Sequence, residues 1–242
     1  MKNEKLMLDK AYNDILQPIA KQVGITLGEV GKLILSPIYY PTKYFNNRIE
    51  KWFERIENNV PKENRIEAMP SITIPTLQNL ALHDDDTLLG EMFFNILQSS
   101  VDKTKQEFLS PAFIETLKQL SKDEAMIVLL LKEKTYKAVI KPKETRDYDY
   151  FENDEVIEND FPLDKLEFPN QFWTYYEHLC KLGLCEKMYE NYNSKPRGIN
   201  FGGNLFARFP KDIDIKLSIK FNKFGKAFAE ICVSEKCENF IK

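Results

Sequence analysis

Ser121-Lys122-Asp123-Glu124-Ala125-Met126-Ile127-Val128-Leu129-Leu130-Leu131 is the stretch on which the fold turns. A serine followed three residues later by glutamate is a capping box. The hydroxyl accepts the third backbone N–H of the helix, and the carboxylate reaches back to the serine's own N–H. The run behind it is apolar nearly all round, so it reads as a helix set in a core.

Downstream of that helix the sequence changes character. Residues 144–160 hold eight acids and one base, Arg146, with Tyr148, Tyr150 and Phe151 interleaved. This composition predicts an exposed insertion loop. Pro169 then opens a helix with Phe172, Trp173, Tyr176, Leu179 and Cys180 on one face, and Lys181-Leu182-Gly183-Leu184 closes it with a glycine near the C-cap. Tyr189 and Tyr192 belong to a strand, and Gly202-Gly203 to a turn. Ile213, Ile215, Leu217, Ile219 and Phe221 alternate with Asp214, Lys216, Ser218 and Lys220, the period of a half-buried strand. Asn222 can cap a final helix carrying Phe224, Ala227, Phe228 and Ile231. Capped helix, insertion, helix, two strands and capped helix is the order of a winged helix, with the acidic insertion where a middle helix and tight turn belong.

Upstream, Ser110-Pro111 supplies an N-cap and a first-turn proline for a helix with Phe113, Ile114, Leu117 and Leu120 on one face. Asp84-Asp85-Asp86 precedes Leu88, Leu89, Met92, Phe93, Ile96 and Leu97, and acids at a helix start complement its dipole and its free N–H groups. Pro61, Pro70 and Pro75 bracket a stretch with little helical pattern and a short extended piece at Ser71-Ile72-Thr73-Ile74. Ile49, Trp52, Phe53 and Ile56 mark an amphipathic helix, with Arg48, Glu50, Lys51, Glu54, Arg55 and Glu57 on its wet side. Leu8, Tyr12, Ile15, Leu16 and Ile19 mark another. Between them Gly24 and Gly28 form a G-x-x-x-G pattern, with Gly31 three further on, before Pro37 and Pro41. Such glycines serve tight packing of a soluble helix pair or a membrane-interacting hairpin. The expected fold is mainly α with a small β-hairpin, in three parts. Residues 1–60 form N-terminal amphipathic helices and 61–120 a central helical region. Residues 121–242 form an interrupted winged-helix-like module with its insertion at about 144–160.

Composition narrows the function. With 43% hydrophobic and 29% charged residues, a buried core is expected. A net charge of −3 argues against a surface that binds nucleic acid throughout. It leaves room for a local basic face, and residues 187–226 carry nine bases against three acids. Lys195, Arg197, Arg208, Lys216 and Lys220 are the candidates there for nucleic-acid or partner contact. The opposite charges of this region and the acidic insertion predict a weak interaction between the two, within one chain or between copies.

Met1-Lys2-Asn3-Glu4-Lys5 lacks the apolar stretch of a secretory signal, and no long uncharged apolar run follows. A cytoplasmic location is expected, with peripheral membrane contact through residues 23–40 as an alternative. Cys180, Cys185, Cys232 and Cys237 then read as reduced thiols, partly in the core, because their spacing is not that of a zinc site. His83 adjoins the triple aspartate, a set able to ligate a metal, but helix capping accounts for the aspartates. His178, one residue off an aromatic helix face, reads as structural. No G-x-S-x-G, H-E-x-x-H or P-loop occurs. We therefore assign no catalytic, cofactor-binding or metal residue, no cofactor and no small-molecule substrate.

Several blocks together carry a family resemblance. They are Ile74-Pro75 to Leu80, Asp84-Asp85 to Leu97, Ser110-Pro111-Ala112-Phe113-Ile114, Leu117 to Ala125, and Phe221-Asn222-Lys223-Phe224-Gly225 to Cys232. The pattern resembles the bacterial abortive infection alpha (Abi-alpha) family, also catalogued as a domain of unknown function. The sequence departs from it at Ser110, where histidine is common, and at Asn222, where threonine is usual. The resemblance implies a role in phage defence and carries over no catalytic residue. The expected function is an anti-phage protein that acts by binding a protein or a second copy. The alternatives are a nucleic-acid-binding winged-helix regulator and a membrane-active effector.

Overall fold

The computed structural model describes residues 42–141, 155–190, 199–201, 204–206 and 214–241. The first amphipathic helix, the segment with Gly24, Gly28 and Gly31, residues 142–154, Tyr192 and the Gly202-Gly203 pair lie outside them. The chain divides into two compact units, Met1–Leu120 with Glu230–Phe240 and Ser121–Ala229 with Ile241–Lys242.

In the first unit, helix α1 (Thr42–Asn59) buries Ile49, Trp52, Phe53 and Ile56, the face its periodicity marks. Its charged side is not all wet. Arg48 is 6% exposed, and Arg55 reaches the carboxylate of Glu91, where the sequence reading put both arginines in solvent. Arginine buries its stem readily once a fixed acid meets the guanidinium, and that acid comes from elsewhere in the chain. Arg65 closes the end of α1 by donating to the carbonyls of Val60 and Glu57.

Helix α2 (Pro70–Leu80) replaces the extended piece expected at Ser71-Ile72-Thr73-Ile74. Three β-branched residues in four suggested a strand, but propensity of this kind yields to burial. Ile72, Thr73, Thr76, Leu77 and Leu80 share the inner face at helical spacing. The hydroxyls of Thr73 and Thr76 donate to the carbonyls of Met69 and Ile72, which satisfies them inside the core. Pro70 stands in the first turn, where its missing N–H has no cost.

Helix α3 (Leu88–Ser99) is capped by Thr87, whose hydroxyl accepts the Gly90 N–H. This corrects the capping role expected of the aspartates, which stop just short of the cap; Asp85 instead accepts from Arg48 and Trp52. Helix α4 (Pro111–Leu117) begins as expected, with the Ser110 hydroxyl accepting the Ala112 N–H. Helices α2, α3 and α4 pack on one another, and a short 3-10 turn (Glu235–Phe240) packs on α3.

The second unit opens on α5 (Lys122–Glu133), with both bonds of the capping box present at Ser121 and Glu124. Its apolar run from Ile127 to Leu131 is buried, as its all-round character requires. Ser121→Ala removes one bond of the box and is expected to lower unfolding free energy by about 1 kcal/mol in urea titration.

Then come β1 (Tyr136–Lys141), β2 (Glu155–Asn159), α6 (Phe172–Lys181), β3 (Cys185–Glu190), β4 (Ile199–Phe201), β5 (Asn204–Phe206), β6 (Ile215–Phe221) and α7 (Lys223–Cys232). The sheet is antiparallel in the order β2-β1-β6-β3, and β4 pairs only with β5 among the described residues. Two strands were expected at the C-terminal side. The four-stranded sheet arises because Tyr136-Lys137-Ala138-Val139-Ile140-Lys141 also alternates, placing Tyr136, Ala138 and Ile140 inward. The end of the acidic segment, expected as loop, pairs with it as β2. Backbone pairing to an existing edge outweighs an unfavourable composition.

β6 lies centrally and buries Ile215, Leu217, Ile219 and Phe221. Ser218, read as wet, is 5% exposed. α6 ends as its sequence predicts. Gly183 adopts φ 74°, its N–H bonds the Cys180 carbonyl, and the Leu184 N–H bonds the Leu179 carbonyl, the Schellman pattern. Asn222 caps α7 by accepting the Gly225 N–H.

Candidate functional site

Binding candidates came from the basic hairpin region. Lys195, Arg197 and Arg208 lie outside the described residues. Lys216 is exposed on β6, and Lys220 is part-exposed four positions on. The pairing register sets an acid opposite each. Glu190 of β3 stands opposite Lys216, and Glu186 opposite Lys220. The Lys220 Nζ lies 3.5 Å from Glu186 Oε1. On the other side of the sheet, Glu155 of β2 stands opposite Lys141 of β1. A cation gains from a phosphate chiefly when nothing else neutralises it. Lys220 is therefore already paired within the sheet, which a net charge summed along the sequence does not reveal.

The first unit encloses a set of charges. Arg48 donates to Asp85 Oδ1 at 2.8 Å and Oδ2 at 3.1 Å, and to the carbonyls of Leu80 and His83. Trp52 Nε1 donates to the same Asp85 oxygen at 2.8 Å. One arginine on α1 thus holds the whole turn between α2 and α3. Burial alone would raise the Asp85 carboxyl, but the bonds from Arg48 and Trp52 and the Arg48 charge hold it below the usual carboxylate range. The His83 ring stacks on Phe93, with centroids 5.2 Å apart, and burial pushes its pKa down. In the unfolded chain His83 takes up a proton near pH 6.5. The fold resists that protonation, so its stabilisation is present above pH 6.5 and lost as pH falls through the lower folded value. Lowering pH from 7 to 5.5 is therefore expected to reduce stability through this ring, and His83→Gln should flatten that slope in urea titrations.

A second set lies on α3. Glu91, 2% exposed, receives Arg55 Nη2 at 2.7 and 2.8 Å and Lys236 Nζ at 3.3 Å. The Arg55 guanidinium also sits over the Phe94 ring, 3.6 Å from its centroid. One turn on, Asn95 donates to the Cys232 carbonyl at 2.8 Å and to Ser234 Oγ at 3.1 Å. Glu91 and Asn95 thereby fasten residues 232–237 to α3. The sequence reading passed over both. Their signal was the presence of polar residues four apart inside an apolar helix face.

In the second unit, the start of α5 is a polar junction. Asp123, 4% exposed, accepts the N–H groups of Glu167 and Phe168 at 2.8 and 2.9 Å. Glu124 meets His178 Nδ1 at 2.5 Å through the oxygen its capping bond leaves free. His178 therefore bridges α6 to α5, in keeping with its structural reading. Tyr176 donates to the Glu186 carbonyl, and burial pushes its hydroxyl pKa up. Cys185, Cys232 and Cys237 are buried and Cys180 is half-buried, and burial raises the Cys185 thiol. Among the described residues, no three His, Cys, Asp or Glu side chains gather so as to hold a metal ion. Nor is any described helix long and apolar enough to cross a membrane.

Against known proteins, the chain matches the family model described as Abortive infection alpha over residues 43–232. No curated protein and no solved structure matches it. The matched span runs from the second residue of α1 to the end of α7 and leaves out residues 1–42 and 233–242.

Proposed function

Because the chain belongs to the abortive infection alpha family, whose name implies a part in phage defence, we propose that it serves that defence in the cytoplasm by binding a protein rather than by catalysing a reaction. The observation that carries this reading is the arrangement of the second unit. Helix α5, strand β1, helix α6 and the pair β3 and β6 follow in that order, and β6 lies between β1 and β3. This order and pairing support the winged-helix-like reading of the unit, with β2 following β1 in the sequence position of a middle helix. Winged helices serve as protein-interaction modules as well as nucleic-acid readers, so fold alone does not choose.

Two features favour protein contact. Lys220 of β6 is paired with the Glu186 carboxylate, which weakens its hold on phosphate. The enclosed ionisable groups Asp85, Glu91, Asp123 and Glu124 are engaged in fastening loops, caps and the C-terminal segment, which supports binding over acid–base chemistry.

The test is to challenge cells making the tagged protein with a phage panel, fractionate the protected cells, and measure binding of the purified protein to duplex DNA and RNA. Protection with the tag in the soluble fraction, and nucleic-acid binding too weak to respond steeply to salt, supports the proposal. Tight binding that falls with salt and is lost on changing Lys195, Arg197, Lys216 and Lys220 would replace it with the nucleic-acid reading. Movement of the tag to membranes, dependent on Gly24, Gly28 and Gly31, would replace it with the membrane reading.

A further inference from the structure

We infer that the edge of β2 left unpaired among the described residues is a docking site for a cationic extended segment of a partner protein, added as a further strand. This rests on the reading that the chain acts by protein contact and specifies the kind of partner. β2 is an end strand of the sheet, pairing only with β1 among the described residues. An end strand leaves a row of N–H and C=O groups open to another chain.

The side chains fit the same purpose. Val156 is 40% exposed and Ile157 is 47% exposed, side by side at an edge. Glu155 and Glu158 flank them, both exposed. Apolar surface between two carboxylates suits a strand that alternates apolar and basic residues. The sheet continues the logic inward, since Glu155 stands opposite Lys141 on the paired side. A basic strand on the open side would repeat that charge pairing.

Charge also decides against a second β2 as the occupant, because two copies would bring four carboxylates onto one short ladder. The sequence around β2 is strongly acidic, with eight acids over residues 144–160, which draws cations and repels like chains.

The test uses the purified full chain and a fluorescent peptide of alternating lysine and valine. Controls are an alternating glutamate–valine peptide and a lysine–glycine peptide of the same charge. Binding is read by anisotropy, and hydrogen exchange follows residues 155–159. The expected result is binding of the lysine–valine peptide alone, with slower exchange at 155–159. The Glu155→Lys, Glu158→Lys double variant should bind about tenfold more weakly, since two cross-strand attractions become repulsions. No binding would overturn the inference. Equal binding of the lysine–glycine peptide, unchanged exchange at 155–159, or a wild-type dimer protected there would overturn it as well. These readouts need no phage, so they fail or succeed independently of protection in cells.

Discussion

Glu91→Met is expected to lower the unfolding free energy by about 3 kcal/mol, because it leaves the partly buried Arg55 guanidinium without its acid. The carboxylate is 2% exposed and takes both Arg55 bonds, while Lys236 is 55% exposed and contributes little. Most of the loss is the cost of an unpaired charge rather than the value of the pair. The double variant Glu91→Met, Arg55→Met should therefore recover most of it, as apolar residues of similar size replace a buried pair at little net cost. Urea titration of the wild type, both single variants and the double variant measures the coupling. A double variant as unstable as the two single losses added would mean that Arg55 and Glu91 act separately. In the single Glu91 variant, hydrogen exchange at residues 232–240 should also speed up, since Glu91 and Asn95 hold that segment to α3.

Gly225→Ala is expected to be comparably damaging, by about 3 kcal/mol, through overpacking. A Cβ at Gly225 would stand 1.9 Å from the Leu184 carbonyl oxygen and 2.7 Å from Phe221 Cδ1. Leu184 cannot withdraw. Its carbonyl accepts the Asn222 N–H, its own N–H closes the Schellman turn, and it is buried. Gly183→Ala is the informative contrast. Nothing lies within 4 Å of its added Cβ, and only the φ of 74° opposes it. That left-handed conformation costs about 1 kcal/mol for alanine. Thermal denaturation of the two variants separates steric contact from backbone conformation. Equal losses would mean that the close approach at Gly225 relaxes freely.

The two variants also mark where sequence reading stops. Gly183 was legible as a helix terminator because the signal is local, a glycine just past an apolar helix face. Gly225 was noticed only as part of a closing motif. Its role depends on a carbonyl 41 positions earlier in the chain, which no window contains. The candidate site divides in the same way. Lys216 and Lys220 were named correctly as residues of an alternating strand, yet the pairing of Lys220 with Glu186 follows from strand register alone. The strand Tyr136–Lys141 alternates clearly enough to have been read. It was hidden by following directly on the apolar run of α5. The acidic strand β2 had no such signal, since only its pairing with β1 makes it a strand.

By itself the sequence determined the starts and stops of elements: the capping box at Ser121, the cap and proline at Ser110 and Pro111, the glycine end at Gly183, the cap at Asn222, and the alternation of β6. Each satisfies backbone groups, or fills one face, within a turn or two of itself, so the information is local. Tertiary structure alone decided that Ser71 to Ile74 are helical, that Arg48 and Arg55 turn inward, and that Asp85 anchors a loop instead of capping a helix. Arg48 and Asp85 are 37 residues apart, and Arg55 and Glu91 are 36 apart. Whether a charge is buried depends on the free energy of the partner that meets it, and that partner arrives only when the chain has folded.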